Sequence, residues 1–222
     1  MRMRRKKHLN ERLNAVSNLI IKRLFATKNL NEDILEKEYI DYSLVFGNDN
    51  PVMLEVGCGK GGFILETAKN NPNINYIAVE MLENIIMLAA EQVKNAGLNN
   101  VKFINAGAEY LPKYIKDESI DRIFLNFSPP YPQNSYENRR LSGERYALSY
   151  KSMLKKGGAV YQKTDDYDFF EYSKKSFAKC GFIVEDVSSN LEKGFNGNVE
   201  TEYEKKFRSL NMPIYGLKAI KE

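Results

Sequence analysis

The stretch Val52-Met53-Leu54-Glu55-Val56-Gly57-Cys58-Gly59-Lys60-Gly61-Gly62-Phe63 decides the fold class. An apolar run holding one acid meets a glycine-rich turn, and an amphipathic segment (Phe63, Ile64, Leu65, Ala68) follows. Strand, tight turn and helix in that order make the first βα unit of an open, doubly wound sheet. The glycines let the chain turn sharply and bring its backbone close to a ligand at the carboxyl end of the strand. Gly57-x-Gly59-x-Gly61 differs from the dinucleotide fingerprint, whose last glycine falls one residue later, where Gly62 stands. The glycines alone therefore leave a nicotinamide or flavin ligand open, as well as a plain tight turn with no ligand. The acid Glu55, just before the turn, is what separates these readings.

Upstream, residues 9–26 carry Leu13, Val16, Leu19, Ile20 and Leu24 at helical spacing, which predicts an amphipathic helix. Downstream, strand and helix alternate. Residues 62–70 predict a helix broken by Asn71-Pro72, and residues 74–79 a buried strand ending at Glu80, an acid placed to accept hydrogen bonds from a ribose diol. A helix over 81–96 closes at Gly97, and a third strand over 101–105 leads to Gly107-Ala108-Glu109. Residues 121–127 form a fourth strand, followed by the loop Ser128-Pro129-Pro130-Tyr131-Pro132. A helix over 144–154, a turn at Lys156-Gly157-Gly158 and a fifth strand over 159–163 come next. The helix of 167–180 carries Phe169, Phe170, Tyr172, Ser173 and Phe177, a stripe that reads as core rather than as a base-stacking platform. Residues 182–187 form a sixth strand, residues 194–198 a Gly/Asn-rich loop, and residues 213–220 the last strand. The expectation is one α/β domain over 51–222, a mostly parallel seven-stranded sheet with helices on both faces, preceded by a basic arm and helical extension over 1–50.

Composition narrows the function classes. The net charge of +4 is mild, but Arg2, Arg4, Arg5, Lys6 and Lys7 crowd the start, an arm suited to nucleic acid or simply to solvent. No apolar stretch is long enough to cross a bilayer, and nothing resembles a secretory leader. Cys58 and Cys180 are the only cysteines and read as free thiols of a reducing compartment. His8 is the sole histidine, which argues against a zinc site or a histidine-based triad. A cytoplasmic, metal-free protein with no membrane association is expected, monomer or homodimer.

Several segments together resemble the bacterial tRNA (guanine-N7) methyltransferase family nearly end to end. They are the basic start, Phe46-Gly47-Asn48-Asp49-Asn50-Pro51 running into Leu54-Glu55-Val56-Gly57-Cys58-Gly59-Lys60-Gly61, and Leu125-Asn126-Phe127-Ser128. Arg139-Arg140-Leu141, Lys163-Thr164-Asp165, Thr201-Glu202-Tyr203-Glu204-Lys205-Lys206-Phe207 and Pro213-Ile214-Tyr215 complete the match. The resemblance implies a Rossmann-like class I methyltransferase with S-adenosylmethionine as cofactor and tRNA as substrate. It implies cofactor positions at Glu55, Gly57, Gly59, Glu80, Ala108 and Asn126. Asp165, Thr201, Glu202, Tyr203 and Glu204 are implied as target-nucleoside positions, and Arg139 and Arg140 as RNA contacts.

The chain departs from the family at Gly107, Pro129, Tyr131, Gln133, Ser135 and Tyr136, where the family has Asp, Asp, Trp, Lys, Arg and His. Pro129 stands at the family's acid, so no catalytic residue is carried over. Chemistry permits this loss: guanine N7 has an in-plane lone pair and no proton, so alkylation needs alignment rather than a base. Carboxylates nearby would stabilise the cationic purine. Ser128-Pro129-Pro130-Tyr131 also matches the signature of exocyclic-amine methyltransferases, which act on adenine N6 or cytosine N4 of an extruded base. A weakly active, tRNA-binding relative is the third reading, and a small-molecule methyltransferase the fourth.

Overall fold

The computed structural model describes residues 6–21, 37–188 and 199–222. Arg2, Arg4, Arg5, the 22–36 stretch and the loop expected at 194–198 lie outside that set. The described helices are α1 (Leu9–Ala15), α2 (Tyr42–Phe46), α3 (Gly62–Asn70), α4 (Glu83–Asn95), α5 (Leu111–Tyr114), α6 (Glu144–Met153), α7 (Tyr167–Lys179) and α8 (Glu202–Ser209). The strands are β1 (Val52–Val56), β2 (Asn75–Val79), β3 (Val101–Ile104), β4 (Ile120–Asn126), β5 (Leu154–Thr164), β6 (Ile183–Ser188) and β7 (Tyr215–Ile220).

The seven strands form one sheet in the order β3-β2-β1-β4-β5-β7-β6. The first five are parallel, and β7 runs antiparallel to both its neighbours. Every residue of β1 and β2 is buried, as apolar runs covered on both faces require. Alternation along β1 divides the core. Val52, Leu54 and Val56 join a cluster with Leu111, Tyr150, Phe170 and Phe177, while Met53 joins Ile64, Ala68, Ile86 and Ala89 on the other face. The aromatic stripe of α7 is core, as expected: Phe169, Phe170, Ser173 and Phe177 are buried.

Two expectations are corrected. The helix expected over 9–26 stops at Ala15. Beyond it, the Ile21 amide donates to the Phe103 carbonyl and the Phe103 amide to the Leu19 carbonyl, both at 2.8 Å. The β-branched pair Ile20-Ile21 thus covers the open edge of β3, where unpaired backbone groups favour extended chain over a longer helix. The Arg12 guanidinium holds the Glu91 carboxylate at 2.5 and 2.7 Å, fixing α1 to α4. The turn expected at Lys156-Gly157-Gly158 lies inside β5 instead. The Gly157 amide reaches the Lys221 carbonyl and the Lys221 amide the Gly158 carbonyl at 2.8 Å, while pairing with β4 slips between Ile120 and Arg122. The glycines make an irregularity within a strand, not its end.

Gly61 sets how closely α3 packs on α4. Its φ of +85° is left-handed, and a Cβ there would lie 2.8 Å from the Ala89 Cβ and 3.1 Å from the Ala89 Cα. Gly61→Ala is expected to lower stability in urea unfolding by about 2–4 kcal/mol through strain and overpacking. Gly59→Ala, with φ +56° but open space around the added carbon, should lose only about 1 kcal/mol.

Candidate active site

The carboxyl ends of β1, β2, β4 and β5 converge on one crevice. At β1 the amides of Gly57 and Cys58 both donate to the Val79 carbonyl, at 2.9 and 3.0 Å, so the glycine turn is locked to the end of β2. Beneath it lies Glu55, 2% exposed. Its Oε1 accepts from Asn126 Nδ2 at 3.0 Å, and its Oε2 has no partner among the described residues. Burial raises the Glu55 carboxyl to about 7, against the opposing effects of the Asn126 hydrogen bond and the nearby Lys163 charge. An orphaned carboxylate oxygen at a turn is suited to a cationic or N–H-bearing ligand.

Glu80 caps β2. Its amide reaches the Ile104 carbonyl at 3.2 Å and its carboxylate accepts from the Leu82 amide at 2.9 Å, which aims the side chain. Asn105 Nδ2 donates to the Glu80 carbonyl at 2.9 Å, tying the ends of β2 and β3 together. Beyond β3, Ala108 is buried. Gly107, which departs from the family acid, is covered by its neighbour: a Cβ there would stand 2.5 Å from Glu109 Oε1. The carboxylate of Glu109 fills the space a side chain at 107 would take, a placement no spacing rule signals.

At β4 the chain passes from Asn126 into Phe127, whose φ is +51°, and on to Tyr131 at φ +44°. Between them Ser128 is buried, and its Oγ has no partner among the described residues. Arg140 clamps this loop. Its Nε donates to the Pro130 and Tyr131 carbonyls at 3.0 and 3.2 Å, its Nη2 to Tyr131 at 2.9 Å, and its guanidinium lies 4.3 Å over the Tyr172 ring. Arg140, expected as an RNA contact, is buried by these contacts. Arg139 is exposed and lies 4.5 Å over the Tyr136 ring.

At β5, opposite Asn126 in register, Lys163 sends its Nζ to Glu204 Oε2 at 2.8 Å and to the Val199 carbonyl at 3.0 Å. Burial pulls its ammonium below the usual lysine range, and Glu204 pushes back. Asp166 caps α7 through the Phe169 amide at 2.8 Å, leaving half-buried Asp165 at the strand end.

Residues 201–207 open α8, a helix the sequence reading did not assign although Thr-x-x-Glu is a capping signal. The Glu204 amide donates to Thr201 Oγ1 at 2.9 Å and the Thr201 amide to Glu204 Oε2 at 3.3 Å, a complete capping box. Arg208 adds a second cation to Glu204 at 3.1 Å. Thr201 and Glu204, expected at the target nucleoside, are thus enclosed in the helix start, and Glu204 has no exposed surface. Tyr203 between them is exposed, and the Glu202 side chain lies outside the described set.

These groups fit the implied cofactor. The Glu55 oxygen and the Gly57–Gly59 turn suit its charged amino-acid end, and Glu80 suits a ribose diol. Among the described residues no His, Cys, Asp or Glu cluster is placed to hold a metal, and no helix is long and apolar enough to cross a membrane.

A family model described as "Putative methyltransferase" matches residues 49–217. The tRNA (guanine-N(7)-)-methyltransferase of Bacillus subtilis (strain 168) is 42% identical over 190 residues, 83% of this chain and 89% of that protein. The protein of the same name from Streptococcus pneumoniae (strain CGSP14) is 36% identical over 220 residues, 99% of each. Among solved structures, the 16S rRNA methyltransferase KamB superposes with a TM-score of 0.63 at 17% identity, covering 84% of this chain and 95% of that one. Precorrin-6y C5,15-methyltransferase from Geobacter metallireducens GS-15 gives 0.56 at 19% identity, covering 97% and 93%. These structural likenesses show the expected class I methyltransferase fold.

The raised Glu55 carboxyl has a pH signature. Between its ordinary value of 4.5 and about 7 the unfolded chain ionises while the native protein keeps the proton. Native stability should therefore fall as pH rises through that window, by up to about 3 kcal/mol, and level off above it. Glu55→Gln should flatten this dependence when urea unfolding is compared at pH 5 and pH 8.

Proposed function

Because the chain belongs to the tRNA (guanine-N(7)-)-methyltransferase family, we propose that it transfers a methyl group from S-adenosylmethionine to N7 of a guanine in tRNA. The observation that carries this reading is end-to-end similarity to a named relative, joined to a crevice whose groups suit that cofactor. S-adenosylmethionine supplies an electrophilic methyl group on a sulfonium. Glu55, oriented by Asn126, and the Gly57–Gly59 turn hold the cofactor's amino-acid end. Glu80 takes the ribose diol, and Glu109, lying over Gly107 beside Ala108, supplies a carboxylate that residue 107 lacks.

The guanine N7 lone pair would take the methyl carbon as its bond to the sulfonium sulfur breaks and S-adenosylhomocysteine leaves, so the protein's task is alignment and charge stabilisation. Asp165 at the end of β5 accepts from the guanine N1–H and N2 amine and stabilises the positive charge the purine acquires. Pro129 at the family's acid position is compatible, since no proton leaves N7. Exposed Arg139, Arg145, Lys205 and Lys206 neutralise phosphates, giving salt-sensitive binding. Residues 51–222 carry the chemistry, while 1–50 extend the RNA surface through the basic arm. The protein acts without a metal, in the cytoplasm where its substrate resides, as a monomer or homodimer.

In the exocyclic-amine reading Ser128 and a proline carbonyl would accept from the amine; Arg140 already donates to the Pro130 carbonyl, whereas Ser128 Oγ has no partner among the described residues. Methylation of an unmodified tRNA transcript with labelled cofactor, followed by nucleoside analysis, is expected to yield 7-methylguanosine. N6-methyladenosine or N4-methylcytidine would move the chemistry to Ser128-Pro129-Pro130-Tyr131, and bound RNA without label would remove the enzyme reading. Glu80→Ala is expected to weaken S-adenosylhomocysteine binding by roughly tenfold or more in calorimetry, the loss of charge-assisted hydrogen bonds. Arg139→Ala should weaken tRNA binding and reduce its salt slope by about one.

A further inference from the structure

Tyr167 is the first residue of α7 and stands off the buried stripe of that helix, 55% exposed while Phe169 and Phe170 are buried. Its ring is nonetheless held. It meets Tyr215 at 5.3 Å and 58° and Phe170 at 6.5 Å and 37°, and Phe170 meets Tyr215 at 5.4 Å and 29°. Half-buried Tyr215 opens β7 opposite Thr164, the last residue of β5, so these rings stand at the crevice end of the sheet. Asp165, the half-buried acid of the site, lies two residues before Tyr167, about 7 Å away at most along the chain. Between them Asp166 accepts from the Phe169 amide and fixes the backbone from which the Tyr167 ring rises.

We propose that Tyr167, backed by Tyr215 and Phe170, is a stacking site for the unpaired base beside the target guanine. This site presupposes the tRNA (guanine-N7) reading above and holds a nucleotide other than the one methylated. A base drawn into a crevice for chemistry leaves its stack, and its neighbour loses a stacking partner. A rigid aromatic ring at the rim replaces that partner, and unpaired bases are bound by stacking on such rings. Charge decides which part of the nucleotide faces the ring. Asp165, Asp166 and exposed Asp168 flank Tyr167 in the chain, and Glu171 on the next turn engages Lys174 at 3.1 Å. Carboxylates repel phosphate and accept from ring N–H groups and exocyclic amines, so the occupant presents its base here and carries its backbone elsewhere. A basic segment of a protein would suit the same charges. Continuity with Asp165 and the crevice favours the tRNA.

The chain contains no tryptophan, so Tyr167→Trp introduces a single fluorophore at the rim. Its emission is expected to be quenched by an unmodified tRNA transcript and left unchanged by S-adenosylhomocysteine alone. Tyr167→Ala is expected to raise KM for tRNA about tenfold with S-adenosylhomocysteine affinity unchanged, and Tyr167→Phe to restore KM to within about threefold. The KM penalty should vanish on a transcript with an abasic residue on one side of the methylated nucleotide, because the ring then has no base to meet. An unchanged KM in Tyr167→Ala, or a penalty that persists with an abasic residue on either side, would overturn the stacking site. Quenching by an arginine-rich peptide but not by tRNA would also overturn it and give the ring to a protein partner. If the penalty follows the abasic residue but the product is not 7-methylguanosine, the stacking site stands and the guanine-N7 reading falls. If 7-methylguanosine forms at the original KM without the ring, the reading stands and the stacking site falls.

Discussion

The contact on which the site depends is the buried ion pair between Lys163 and Glu204. Each charge is taken out of water at a cost that only a close partner offsets, and removing either would strand the other. Lys163 comes from the end of β5 and Glu204 from the first turn of α8, so the pair joins the central sheet to a helix that follows β6 in the chain. Its influence reaches further. Lys163 stands opposite Asn126 in register, and Asn126 holds Glu55, so one row of polar side chains crosses β1, β4 and β5 beneath the crevice. The Lys163 charge also acts on Glu55 itself, opposing the upward pull of burial.

The doubly wound core was legible because it is written in local patterns: apolar strand runs, helical periodicity and glycine punctuation. Leu54 and Ile77 read as central strand residues and are fully buried. The misreadings came where tertiary partners outvote local pattern. Ile20 continues a helical period, yet the open edge of β3 draws it into extended pairing. Gly157-Gly158 has a turn composition, yet pairing with Lys221 on the far side keeps β5 continuous. The site was legible to the level of residue type. Glu55 and Glu80 stand at strand ends as their spacing implied. Nothing local announces that the Glu204 carboxylate turns inward to Lys163, that Arg140 bends to its own loop, or that Glu109 covers Gly107.

Arg139 and Arg140 show how far adjacent, identical residues can diverge. A run of short 3₁₀ turns over Asn134–Arg139 ends at Arg140, so the two guanidinium groups leave the chain in different surroundings. One packs over Tyr172 and against carbonyl oxygens, where a planar fork of donors is better suited than a lysine. The other stays in solvent above Tyr136. The loop over residues 128–132 is therefore held by Arg140, and its residues sit on a fixed backbone.

The antiparallel seventh strand has a consequence for how the protein comes into being. β5 obtains its outer neighbour from β7, with Lys163 opposite Gly216 and Thr164 opposite Tyr215. Strands β1, β2 and β3, with the glycine turn among them, pair through contacts near in sequence. The wall bearing Lys163 and Asp165 keeps an open edge until β7 pairs with β5, a contact of long range and correspondingly slow. The β1–β3 part can thus close through nearer contacts than the wall bearing Lys163 and Asp165, which waits for β7.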